Sequence, residues 1–231
     1  MTPMHPHPAS LPSSAPDRAY DYERDPTAIY RQSFATIRDE VALAGLPDDL
    51  APVAVRLIHA CGMTDLMTDL VWSPQAVARG REAIAAGAPV FCDVEMVRHG
   101  IIRRYLPKPD QVICTLNDDR VPGHALALGT TRSAAAVDLW LEGMDGAVVA
   151  IGNAPTALFH LLERIAEGAP KPAVILGLPV GFVGAAESKA ALAENPFDLA
   201  FLTLSGRRGG SALAAAAVNG LAAGLIEETL A

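Results

Sequence analysis

The 231 residues carry 18 Lys and Arg against 26 Asp and Glu, a formal net charge of -8 that argues against a nucleic-acid partner. Apolar residues make up 51% and charged residues 19%, enough core material for one large domain or two small ones. No apolar run approaches the ~18 residues of a membrane span, no signal pattern opens the chain, and Cys61, Cys92 and Cys114 sit in apolar runs without close pairing or metal-ligand spacing, as in a reduced cytoplasmic protein.

Residues 1–19 are rich in Pro, His, Ser and Ala and show no periodicity, which predicts a disordered extension ahead of a single domain over 20–231. His5 and His7 alternate with prolines and carry little weight as metal ligands. Asp25-Pro26 starts a helix to about Ala44, with Ile29, Phe34, Ile37 and Val41 on its apolar face and Ser33 within it. A second helix opens at Asp48-Asp49, whose carboxylates can accept from the first-turn N–H groups, and Pro52 is tolerated that early. Leu50, Val53, Leu57 and Cys61 form its core stripe, and Gly62 is the expected stop. Arg56 and His59, three apart, share a different face, pairing a fixed charge with a group that titrates near neutrality. Taken alone, a His at a helix end more often packs or caps than reacts. Thr64-Asp65 and Ser73-Pro74 are further helix starts, with Ser73 expected to cap a helix running to Ala86.

From Ala88 the pattern changes. Five short apolar runs predict buried strands: Pro89–Val94, Gln111–Leu116, Gly146–Gly152, Ala173–Gly177 and Leu199–Leu204. Helical segments separate most of them, at about Pro122–Leu128, Ser133–Leu141, Thr156–Glu167 and Ala185–Ala193, and another runs from Ser211. Such alternation indicates an α/β fold with a parallel sheet covered on both faces. Ligands in such sheets bind beyond the carboxyl ends of the strands.

Three loops at those ends attract notice. Gly152-Asn153-Ala154-Pro155 enters a helix whose free N–H groups form an anion cradle, with Asn153 able to cap. The loop from Gly177 to Gly184 lets backbone approach a ligand and offers Phe182 and Val183 as apolar contacts, yet no Walker A pattern is present. Gly206-Arg207-Arg208-Gly209-Gly210 is a cationic loop. Thr130-Thr131-Arg132 opens another helix, and an arginine in a first turn opposes the macrodipole, so its side chain is expected to aim at an anion. Together Arg56, Arg132, Arg207 and Arg208 suggest an acidic protein that concentrates cations for a polyanionic ligand. Spacing alone stops at a binder or enzyme for a small polycarboxylate or phosphate compound.

The stretches DPTAIYRQSF (Asp25–Phe34), VRLIHACG (Val55–Gly62), PVFCDVEMV (Pro89–Val97), VICTL (Val112–Leu116), TTRSAAA (Thr130–Ala136), VVAIGNAPTALF (Val148–Phe159), LGLPVGFVGAAESK (Leu176–Lys189) and GRRGGSA (Gly206–Ala212) follow one another as in a known family. From about Tyr20 to Gly220 the sequence resembles the precorrin-8X methylmutases of cobalamin biosynthesis. The resemblance implies a three-layer flavodoxin-like fold with a five-stranded parallel sheet in order 2-1-3-4-5. It also implies a homodimer and an isomerase that moves a methyl group from C-11 to C-12 of a corrin precursor without an external cofactor or metal site. A handover of substrate and product to neighbouring enzymes of the pathway is part of the same expectation.

By the same resemblance, His59 is the proton donor or hydrogen-bonding acid near the ring C nitrogen. Ser33, Arg56, Thr131, Arg132, Asn153, Ala154, Gly181, Phe182 and Val183 line the pocket. Ile102 stands where close relatives are expected to have Thr. Arg207 and Arg208 remain open between ligand contact and solvated face. A polycarboxylate substrate suits arginines and helix N-termini as donors, and a sigmatropic shift needs no strong nucleophile, in keeping with the absence of a triad pattern. Three rivals remain: a mutase acting on the cobalt-containing substrate, a non-catalytic corrinoid carrier, and a flavodoxin-like nucleotide or phosphate binder.

Overall fold

The computed structural model describes residues 20–43 and 45–230; the expected N-terminal extension lies outside them. Helix α1 (Pro26–Glu40) starts where expected: Asp25 accepts from Thr27 N at 3.0 Å, with Pro26 in the first turn. It ends at Glu40, short of Ala44. Helix α2 (Ala51–Cys61) begins at Leu50 with no side-chain cap, so Asp48 and Asp49 do not perform the capping that the sequence suggested. It does end at Gly62, whose φ of 70 is the left-handed stop and whose N–H reaches Ile58 O at 2.7 Å.

The region between α2 and the next helix departs from expectation. A 3-10 helix over Thr64–Asp69 leads into a three-residue strand, β1 (Leu70–Trp72). Ser73 does not cap a helix. Its N–H donates to Phe201 O and its Oγ accepts from Phe201 N, both at 2.9 Å, closing the ladder of that strand. Helix α3 (Ala76–Ala85) starts from Gln75 instead.

The rest alternates: β2 (Val90–Cys92), α4 (Glu95–Gly100), β3 (Val112–Cys114), α5 (Arg120–Leu128), α6 (Arg132–Val137), β4 (Val148–Ile151), α7 (Pro155–Ala166), β5 (Val174–Gly177), α8 (Ala185–Ala193), β6 (Phe201–Leu204) and α9 (Ser211–Leu230). The sheet has six strands in the order β1-β6-β5-β4-β2-β3, not five. Five run parallel, and β1 pairs antiparallel with β6, Val71 opposite Thr203. The fold is α/β with a mixed, mostly parallel sheet.

Strand alternation splits the core in two. Val90, Cys92, Val148, Ala150, Val174 and Leu176 face a cluster shared with α2, α3, α4 and α9. Phe91, Val149, Ile151, Ile175 and Phe201 face the other layer, with Trp140, Leu158, Leu161 and Leu192. Helix α1 touches neither: Phe34, Ile37 and Val41 pack on Val55 and Ile58 of α2 in a third cluster. Helix α2 in turn lies on the Ala-rich α9. The two backbones meet at Gly220, where a Cβ would stand 3.0 Å from Val53 Cα. On the opposite layer Asp138 joins α5 to α7, accepting from His124 Nε2 at 2.6 Å and His160 Nε2 at 2.9 Å.

Candidate active site

The α1–α2 packing brings Ser33 and His59 together across 26 residues of sequence. Ser33 Oγ lies 2.9 Å from His59 Nδ1. The edges of Tyr30 and Phe34 hold the imidazole, with ring centroids 5.7 Å and 5.2 Å away. The ring is exposed and lies between two cavities. One, of about 580 Å³, lies along α1 and the end of α2 and is lined by Ser33, Thr36, Glu40, Ile58 and Thr64 as well as His59. The other, of about 280 Å³, is lined by His59, Tyr30, Arg56, Ile102, Ala216 and Asn219. With its Nδ1 engaged, the free nitrogen of the imidazole is Nε2. If the Ser33 hydroxyl donates to Nδ1, Nε2 carries the hydrogen.

Arg56 sits among three aromatic rings, its guanidinium carbon 5.8 Å from the Tyr30 centroid, 5.5 Å from Phe34 and 5.5 Å from Tyr105. Among the described residues it makes no hydrogen bond or ion pair. The rings orient the cation without consuming its N–H donors, which a carboxylate can take bidentately. Ile102 is in the same cavity wall, and a residue the sequence reading passed over holds it there. The nearly buried Asn219 accepts from Ile102 N at 2.8 Å and donates to Gly100 O at 3.0 Å. Its only sequence signal was a lone amide in an Ala-rich helix, where a buried polar group needs partners.

The other expected site residues fall into different environments. Thr131 caps α6, accepting from Ala134 N, and its Oγ1 meets Thr156 Oγ1 at 2.8 Å. Arg132 is not aimed at open space: its Nη2 donates to Leu116 O at 3.0 Å and Asn117 Oδ1 at 3.3 Å. Gly181, Phe182 and Val183 form an exposed loop, with Phe182 86% and Val183 88% accessible and Arg207 stacked 5.2 Å over Phe182. Arg208 belongs to the scaffold, with Nη2 on Asp65 at 2.6 Å and Nη1 near Asp69 at 3.5 Å. Beneath it, the buried Lys189 donates from Nζ to Arg208 O. Burial brings the Lys189 ammonium down to about 8, against a smaller opposite pull from Asp69.

The turn ahead of α7 already has an occupant. The N–H groups of Gly152, Asn153 and Ala154 are not free, because all three donate to the buried Asp93. Nor does Asn153 cap α7; the capping position is Ala154, and the Asn153 side chain is exposed. Among the described residues no group of three or more His, Cys, Asp or Glu has the arrangement of a metal site, and no helix is long and apolar enough to cross a membrane.

Comparison with known proteins gives a consistent result. A family model described as precorrin-8X methylmutase matches residues 28–223. The precorrin-8X methylmutase of Pseudomonas aeruginosa is 61% identical over 202 residues, spanning 87% of this chain and 97% of that one. The cobalt-precorrin-8 methylmutase of Priestia megaterium is 37% identical over 197 residues, 85% and 87% of the two chains. Among solved structures, the precorrin-8X methylmutase of Thermus thermophilus superposes with a TM-score of 0.79 at 37% identity, covering 87% of this chain and 97% of the other.

Proposed function

The chain belongs to the precorrin-8X methylmutase family, and from that premise we propose how its own residues perform the reaction. It is an isomerase of cobalamin biosynthesis that moves a methyl group from C-11 to C-12 of precorrin-8X. The C-11–methyl bond breaks, the C-12–methyl bond forms, and the ring π electrons relocate, so no oxidant or nucleophile is required. What the protein supplies is orientation and stabilisation of the shifted charge.

His59 Nε2 is the acid that protonates or hydrogen-bonds the ring C nitrogen region. Ser33 fixes that imidazole through Nδ1, and Arg56 takes a peripheral carboxylate in the smaller cavity. Asn153, Thr131, Arg132 and the Gly181–Val183 loop contact the macrocycle farther out. The observation that carries this reading is the pairing at the end of α2: a histidine with one nitrogen held by Ser33, one turn from an arginine whose donors have no acceptor among the described residues. The five parallel strands form a flavodoxin-like sheet, and the protein acts as a cytoplasmic homodimer that passes its product to the next enzyme. The exposed Phe182, Val183 and Leu126 supply apolar surface for ligand or partner, and the free Cys61, Cys92 and Cys114 suit a reducing compartment.

The test is an absorption time course with enzymatically prepared precorrin-8X, beside the cobalt-containing substrate. Conversion of the metal-free substrate to the hydrogenobyrinic acid spectrum, abolished in His59→Ala, is the expected result. Conversion by both proteins removes His59 from its role. A stable spectral shift without conversion supports the carrier, and preference for the cobalt substrate supports the other branch of the family.

A further inference from the structure

In an open parallel sheet, the crevice beyond the carboxyl ends of the strands at the point where the strand order reverses is the usual ligand site. Here that point lies between β2 and β4, because the chain leaves β2 toward β3 on one side and returns to β4 on the other. The crevice is closed from within. Asp93, the residue after β2, is 1% exposed. Its Oδ1 accepts from Gly152 N at 2.9 Å, and its Oδ2 accepts from Asn153 N at 2.9 Å and Ala154 N at 2.8 Å. These N–H groups belong to the β4–α7 turn, just ahead of the 12-residue α7 (Pro155–Ala166), and successive backbone donors of this kind make an anion-binding concavity. No lysine or arginine pairs with Asp93 among the described residues; burial pushes its carboxyl up, and the three backbone donors pull against that rise. A local cap from the Asn153 side chain would have satisfied one donor without burying a carboxylate.

We propose that Asp93 is an internal anion that occupies the receptor a substrate carboxylate would otherwise enter. It denies the β4–α7 turn to the substrate's carboxylates, directs them toward arginine, and holds Asn153 with its side chain turned outward. Asp93 is thus a positioning and specificity-determining residue. Its effect on substrate rests on the reading of the reaction given above; the occupied receptor does not.

Two measurements separate these parts. Asp93→Ala leaves a vacancy of carboxylate shape, so thermal unfolding is followed as formate is titrated against chloride at equal ionic strength. The expected result is a saturable rise in melting temperature for Asp93→Ala and none for wild type. Equal response to formate and chloride, or an unfolded variant that formate does not restore, overturns the receptor. The volume-conserving Asp93→Asn, assayed well below its melting temperature, is expected to raise KM by about tenfold with kcat within about twofold. A loss confined to kcat overturns the positioning role, and formate stabilisation with unchanged KM overturns the specificity role alone.

Discussion

Two regions of the molecule carry the polar groups that the sequence singled out, and they differ in whether those groups are already satisfied. At the end of α2, Arg56 has three aromatic neighbours and no anion among the described residues, and the polar contact of His59 is one hydroxyl at Nδ1. At the strand ends near α7 and α8, most of the corresponding groups have a polar partner, although Arg207 only stacks over Phe182. Asp93 takes three N–H groups, Asp65 and Asp69 take Arg208, and Arg208 O takes Lys189. Donor chemistry alone therefore does not mark a ligand site. Unspent donor capacity beside a cavity does, because a hydrogen bond from a charged donor to an arriving carboxylate is worth about 1.5–3 kcal/mol.

The strongest attempt to break this contrast is His59→Ala, expected to lower turnover by about 10²–10⁴-fold with little change in melting temperature, read by single-turnover absorption. Turnover near wild type would leave the α2 region as mere binding surface. Next comes a matched pair. Arg56→Gln should raise KM by roughly tenfold or more, since a charge-assisted hydrogen bond is worth ~1.5–3 kcal/mol. Arg208→Gln should move KM less than about twofold and lower the melting temperature instead. A reversal of the two would invert the comparison.

Lys189 sharpens the scaffold side. Its folded value of about 8 lies below the ordinary 10.5, so between those values the unfolded chain binds more protons and stability rises with pH. The contribution is fully present above 10.5 and lost as the pH falls through about 8. Denaturant titrations of wild type minus Lys189→Met should show that rise, at up to ~1.4 kcal/mol per pH unit. A flat difference would mean that the ammonium is well solvated. The smallest effect is expected from Ser33→Ala, about 1 kcal/mol or three- to tenfold in kcat, with Ser33→Thr restoring most of it.

Much of the scaffold was legible because its signals are local. Continuous apolar runs marked the five parallel strands, and Gly62 marked the end of α2. The strand β1 was not legible: three residues between a 3-10 helix and α3 leave no room for alternation, and its ladder is completed by Ser73, which looks like a helix cap. The site was legible in its residue types but not in their pairings. Ser33 and His59 were both singled out, but their contact depends on how α1 packs on α2. The sequence leaves Arg208 open between ligand contact and solvated face, because Asp65, its partner, lies 143 residues away. Asp93 did leave a trace, a carboxylate following Val-Phe-Cys in an apolar strand, where an unpaired charge is too costly to stay. Its three N–H donors lie about 60 residues on, in the turn ahead of α7.

The link from Asn219 to Gly100 and Ile102 has a bearing on synthesis. The cavity beside His59 joins residues far apart in sequence: Tyr30, Arg56 and His59 are made well before Ala212, Ala216 and Asn219. Until α9 leaves the ribosome, α2 has no helix to lie on and the Gly100–Ile102 wall has no anchor. The nascent protein thus carries its histidine without a pocket around it until α9 is made. A message truncated within α9 yields a chain that holds every proposed ligand-contacting side chain and lacks the wall that gathers them.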